Sequence, residues 1–246
     1  MFHIHQPRIF KRFANVRAAQ TLRGRTHLPY GFNMSLTVGD SEARVRANRA
    51  RLAERLGFAA ERLATQRQVH GIRVCDVRAG YVPEESDAIV TAEPGWLLAV
   101  SIADCIPVLL YDADLHVVAG IHSGWRGTAQ NITGVTVEHM RTEYGSQPRS
   151  LYAYVGAGAG QCCYEVGSEV AEQFAAGHSR RIGGEKYLFD NPGAVLAQLL
   201  ACGVAADRIE MDPRCTICGS AFHSYRRDGA RSGRMFGVIG MRASTA

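Results

Sequence analysis

Cys105 and His122 stand on two apolar runs of the stretch SIADCIPVLLYDADLHVVAGIHSGWRG, which spans residues 101–127. The runs PVLLY and HVVAGI are joined by Asp112-Ala113-Asp114-Leu115, a turn-forming sequence, so they should pair as an antiparallel hairpin. A loop over residues 112–115 sets Cys105 directly opposite His122. Opposed residues project to the same side with Cβ atoms ~5 Å apart, close enough for both side chains to reach one metal ion. A three-residue loop, or a bulge opened by Pro107, would shift that register. A thiolate and an imidazole so placed have two chemical readings. One is a metal pair that needs at least one more ligand; the other is a cysteine nucleophile with a histidine base. His70 in RQVHGIRV, followed by glycine at the mouth of a strand, is the third candidate, against the plainer reading of a structural loop histidine. Together His70, Cys105 and His122 would hold zinc with an open fourth position, as catalytic sites do, and lower the pKa of a bound water to about 7.

Asp104 and Asp87 are candidates for proton transfer, and Asp104 is equally a candidate to anchor a ligand imidazole. Deamination here would need an acid other than that of the cytidine deaminases, because no His-x-Glu with Pro-Cys-x-x-Cys occurs. Cys215 and Cys218, with His223 beyond them, could form half of a zinc knuckle, but no fourth ligand can be assigned, and buried thiols under a loop are the simpler expectation. Cys162-Cys163 reads as packed rather than bonded, because adjacent cysteines bridge only with strain.

The elements that must position these residues are short. A helix is expected over 41–57, with Ser41 to cap it and Gly57 to stop it. Others are expected from Thr128 to Gly145, over 165–177, and over 192–202 after Asp190-Asn191-Pro192. Apolar runs at IRVCDV, DAIVT, WLLAVSIA, PVLLY, HVVAGI, SLYAYVGA and MFGVIGM read as strands, with RIEM a weaker one. Strands cluster and helices intervene irregularly, so the fold class is α+β with mixed sheets rather than a regular doubly wound sheet.

The 246 residues suit a single domain, and 46% hydrophobic with 21% charged residues is a globular balance, not a disordered one. No stretch approaches the ~18 apolar residues of a membrane span, and MFHIHQPRIFKRF has no apolar signal region, so a cytoplasmic address without membrane association is expected. Residues 1–67 hold thirteen Lys or Arg against four acids. In RVRANRARLAERLG these arginines fall at helical spacing without interleaved aromatics, which favours a solvated helix face over a nucleic-acid surface. Seven cysteines, an odd number, argue against a disulfide scaffold.

QRQVHG, SDAIVT, SIADCIPVLLYD, GIHSGWRGT, QCCYEVG and CTICGSAFHSYRRDGARSGRM together resemble the bacterial laccase-domain proteins, also called polyphenol oxidoreductases or peptidoglycan editing factors. The resemblance spans about residues 20–241. It implies a single domain with α/β/β/α layers and mixed sheets, and a zinc ion held by His70, Cys105 and His122. It also implies a monomeric purine nucleoside phosphorylase with adenosine deaminase activity, acting on adenosine, inosine, guanosine or methylthioadenosine with phosphate. Asn33 and Gln68 would then line the substrate pocket, and Arg126, Arg226 and Arg227 would supply guanidinium forks for phosphate. Two departures touch this edge: VGAGAGQCCYEVG lacks the family's Gly-Pro step, and LRGRTHLPYGFN lacks its Arg-x-Gly-Gly-Val-Ser run. A set of several coppers needs about ten histidines with a cysteine, and the chain has nine histidines in all. A single copper at the same three residues is the oxidase alternative. A cysteine amidase or peptidoglycan-editing enzyme, with Cys105 as nucleophile and His122 as base, is the other.

Overall fold

The computed structural model describes residues 2–24 and 30–243, so His27 and the centre of LRGRTHLPYGFN lie outside the described residues. One sheet contains β1 (Ile4–His5), β2 (Val16–Thr21), β3 (Leu63–Ala64), β6 (Leu97–Ile102) and β14 (Met235–Met241), ordered β1-β2-β14-β6-β3. The second contains β4 (Val74–Asp76), β5 (Ala88–Thr91), β7 (Ile106–Asp112), β8 (Val117–Ser123), β9 (Leu151–Val155) and β13 (Ile209–Met211), ordered β13-β9-β7-β8-β5-β4. Both are mixed. The pairs β3–β6, β4–β5 and β9–β13 are parallel and the remaining neighbours antiparallel. A small antiparallel sheet holds β10 (Glu165–Gly167), β11 (Ser179–Gly183) and β12 (Lys186–Phe189).

Strand alternation explains why the central strands are almost wholly apolar. Along β7, Leu109 and Tyr111 face the first sheet, where they meet Leu98 and Ile239, while Val108 and Leu110 face outward. That outer face is covered by α3 (Ile132–Tyr144) and α5 (Asn191–Ala201) through Ile132, Val137, Met140, Val195 and Leu199. On the far side, α1 (Glu42–Leu56) lays Leu52, Ala53 and Leu56 on Leu97, Ala99, Phe236 and Val238. The result is the expected α/β/β/α layering, with both faces of each large sheet buried and hence continuous rather than alternating hydrophobicity. No helix among the described residues is long and apolar enough to cross a membrane.

Three expectations need correction. The helix expected from Thr128 is two helices, α2 (Trp125–Ala129) and α3, because Asn131 adopts φ 62°, leaves the helical path and caps α3 by accepting the Gly134 N–H. The helix expected over 165–177 is instead β10, the single turn α4 (Ser168–Ala171) and a 3₁₀ turn at Ala176–His178. In the β7–β8 hairpin, Pro107 rather than Cys105 stands opposite His122. The Asp112 side chain accepts the N–H groups of Asp114 and Leu115, and His116 closes the loop at φ 56°, so the turn occupies residues 113–116. The register is displaced by two residues, which leaves each side chain on its original face.

Candidate metal centre and active-site cleft

His122 lies on the sheet face shared by Val118 and Gly120, at the end of β8 where the core gives way to a cleft; it is 3% exposed. Cys105 lies just before β7 in a loop that turns at Asp104, whose φ is 90°. His70 sits at φ 61° in the loop ahead of β4. Left-handed backbone at two non-glycine residues costs of order 1–3 kcal/mol each and persists only where surrounding contacts impose it. Asp104 is held by Thr216, Arg226 and Ala159, whereas the contacts of the His70 loop converge on Asp87, fully buried before β5. Its carboxylate accepts the N–H groups of Val69, His70 and Gly71 at 3.2, 3.0 and 2.7 Å. It also contacts His122 Nδ1 at 2.7 Å. One carboxylate therefore fixes the His70 loop and the His122 ring together, and turns Nε2 of His122 toward the cleft.

The structure brings His70, Cys105 and His122 together, with one ligand atom of each lying within 4.8 Å of the other two. Cys105 Sγ is 3.9 Å from His70 Nε2, and the two imidazole rings stand edge to face at 4.8 Å. Gly124 makes the approach feasible: a Cβ there would lie 2.9 Å from His70 Cδ2 and 3.1 Å from Cys105 Sγ. Burial pushes the Cys105 thiol up, but the charge of His122 and hydrogen bonds from both histidines outweigh it and bring the thiol to about 6. Burial lowers His122, but Cys105 and Asp87 together raise it to about 9. Without an ion the pair is therefore thiolate and imidazolium at neutral pH. A cation at this point would displace the imidazolium proton and take a ready-made thiolate.

These residues form one wall of a cleft of about 830 Å³. Five arginines reach it, of which Arg67 is paired with Glu85. Arg126 stacks on Trp125 at 4.2 Å and Arg226 lies over Tyr164 at 5.3 Å. Arg49 and Arg234, which sequence reasoning did not single out, lie over Phe236 and Tyr225 and complete the basic lining. Arg49 is brought to about 10 by burial and by Arg46, so it stays charged at neutral pH. Nothing in the sequence marks Arg49 except its place on the one face of α1 that meets β14.

Other expected site residues are placed differently. Arg227 does not line the cleft: its guanidinium is committed to Asp228 and to the carbonyls of Thr216, Ile217, Gly219 and Phe222. Asn33 is fully buried and ties its own loop to Ser35, Asp40 and the Arg234 N–H, so it supports the cleft without lining it. Gln68 does line the cleft, with its amide paired to both backbone groups of Ser101. Asp104 also reaches it, but its oxygens accept the Thr216 hydroxyl at 2.6 Å and the Arg226 N–H at 2.7 Å. The carboxylate that anchors an imidazole is Asp87.

A helix-flanked pair of mixed sheets with a His-Cys-His cluster at its open end defines the class, and the sequence places the chain within it. The model of the multi-copper polyphenol oxidoreductase laccase family matches residues 17–242, and the chain belongs to that family. Its relatives include a purine nucleoside phosphorylase of Deinococcus radiodurans, 44% identical over 207 residues, covering 82% of this chain and 79% of that protein. An adenosine deaminase, RL5, from an unknown prokaryotic organism is 35% identical over 247 residues, covering 92% of this chain and 94% of that one. The crystal structure of YlmD from Geobacillus stearothermophilus superposes with a TM-score of 0.88 at 35% identity, covering 95% of this chain and 94% of that chain.

Proposed function

We propose that the chain is a zinc-dependent purine nucleoside enzyme that cleaves adenosine, inosine, guanosine or methylthioadenosine with phosphate and deaminates adenosine. The observation that carries the reading is the meeting of His70, Cys105 and His122 at a cleft ringed by Arg49, Arg126, Arg226 and Arg234. The names of the relatives, purine nucleoside phosphorylase and adenosine deaminase, support the substrate class. One thiolate and two imidazoles form a donor set that suits zinc, and copper binds the same donors. Zinc held by three protein ligands acts as a Lewis acid and activates water near neutral pH.

The chain's own residues do the rest. Asp87 accepts a proton-bearing Nδ1 of His122 and so presents Nε2 as a ligand. Arg126 and Arg226, with Arg49 and Arg234 behind them, bind and orient the phosphate dianion through paired N–H donors. Trp125 and Tyr164 carry the guanidinium groups of Arg126 and Arg226 on their rings and so hold them at the cleft. Asp104 positions Arg226 through its backbone N–H.

The reading is tested by incubating purified protein with inosine and phosphate. Hypoxanthine should appear, should be lost with Cys105→Ala, and should depend on added zinc after chelation. No hypoxanthine under any metal condition would overturn it. Elemental analysis of the protein as purified decides between zinc and copper, the ion that the polyphenol oxidase alternative requires. The low Cys105 thiol beside a high His122 favours a second reading, a cysteine amidase or peptidoglycan-editing enzyme. Alkylation separates the two. A metal-held Cys105 is protected until chelator is added, whereas a free nucleophile reacts at once.

A further inference from the structure

Four of the six cysteines outside the site described above come together. Cys162 and Cys163 occupy the turn after β9, closed by the Cys163 and Tyr164 N–H groups donating to Gly160 O at 3.0 Å each. Cys215 and Cys218 occupy the turn after β13, closed by the Gly219 N–H donating to Cys215 O at 3.0 Å. The two turns are stitched together by a bridge between Gly158 and Cys215, and by the Gly160 N–H donating to the Cys215 sulfur at 3.3 Å. All four Sγ atoms lie within 4.8 Å of one another. Cys215 is buried as expected from the sequence, but Cys162 and Cys218 are exposed and so are not buried fillers.

The spacing fits a shared metal ion better than a disulfide. A tetrahedral zinc with Zn–S of about 2.3 Å requires sulfurs about 3.8 Å apart, whereas a disulfide requires about 2.05 Å. Cys162 Sγ and Cys218 Sγ are 3.8 Å apart. The Cys-x-x-Cys turn supplies two ligands, as in zinc knuckles, and the missing pair is Cys162-Cys163, 52 or more residues upstream in the chain. We propose that Cys162, Cys163, Cys215 and Cys218 form a second, structural zinc site that locks these two turns together. Its four thiolates leave no open position, so it supplies no chemistry of its own. It stands directly behind the active-site loop: Thr216 donates to Asp104, and the Ala159 N–H donates to Asp104 O at 2.7 Å. Tyr164, on the cleft wall, follows Cys163 in the same turn. The zinc would hold the cleft's back wall in register where hydrophobic burial is thin.

The test uses a His70→Ala/Cys105→Ala protein, which removes two ligands of the first centre and makes the result independent of the proposed enzymology. After dialysis against a weak chelator, about one zinc per chain should remain. It should be lost on adding Cys162→Ser or Cys218→Ser, both at exposed positions. Exchange with cobalt should give the intense ligand-field bands and thiolate charge transfer of a tetrathiolate ion, a readout that does not need those variants to fold. A protein that retains no zinc, takes up cobalt without those bands, or carries a Cys162–Cys218 disulfide on mapping after non-reducing alkylation would overturn the proposal.

Discussion

Asp87 carries more of the site than any of the three proposed ligands, because one buried carboxylate serves an imidazole and three backbone donors at once. Replacing it with Asn keeps the volume but removes the charge and turns an amide N–H₂ toward those donors. Asp87→Asn should weaken metal binding ~10–100-fold, measured by competition with a chromophoric chelator, and cost about 1–3 kcal/mol of stability. His223 gives a pH prediction. It is 1% exposed, burial and Arg23 lower it to about 3, and its Nε2 has no partner among the described residues. The folded pKa lies below the unfolded value, so the unfolded chain binds the extra proton between about pH 6.5 and about 3. His223 therefore favours folding above pH 6.5, and that contribution is lost as the pH falls, at up to about 1.4 kcal/mol per pH unit. Denaturant melts between pH 7 and 5 should show this slope, and His223→Leu should flatten it. At this scale the sequence was partly legible. Cys105, His122 and His70 stand out by type, but the role of Asp87 depends on a fully buried carboxylate meeting a loop 16 to 18 residues upstream. No local pattern reports that.

The elements show where local signals suffice and where they fail. Gly57 ends α1 in the left-handed region, as its type predicts, and Asp190 caps α5 by accepting the Gly193 N–H. The α2–α3 break was hidden because Thr128, Gln130 and Asn131 are all tolerable within a helix, and only the backbone reveals Asn131 at φ 62°. Asn131→Ala should therefore cost about 1–2 kcal/mol in denaturant melts, from a lost cap and a left-handed alanine. The hairpin register was misplaced by two residues because Asp112 both pairs in β7 and turns the loop with its side chain. Two residues is the one small error that preserves sidedness, so Cys105 and His122 still meet. Gly124 links α2 to the centre. Gly124→Ala would drive a methyl into His70 and Cys105, and should lower metal affinity at least tenfold while shifting Tm little, read by chelator titration alongside a thermal melt.

Across the whole molecule, the layered order was readable from apolar runs and breakers, since both faces of the central strands are buried and the runs are continuous. What was not readable is everything set by contact between distant segments: the arginine ring of the cleft, the burial of Asn33, the commitment of Arg227 to four carbonyls and the convergence of four cysteines. These arise where loops from both sheets meet, and each loop alone carries no period or motif. The short strands β10 to β12 escaped for a related reason, because the exposed residues of β11 bury little against the core. The proposed chemistry depends on one cation shared by three side chains. The direct measurement is an anomalous difference map from crystals of the purified protein, collected above and below the zinc edge. It should show a peak about 2.3 Å from Cys105 Sγ and about 2.0–2.1 Å from a nitrogen of both His70 and His122. A phosphorolytically active crystal form with no peak among those three residues would contradict the account.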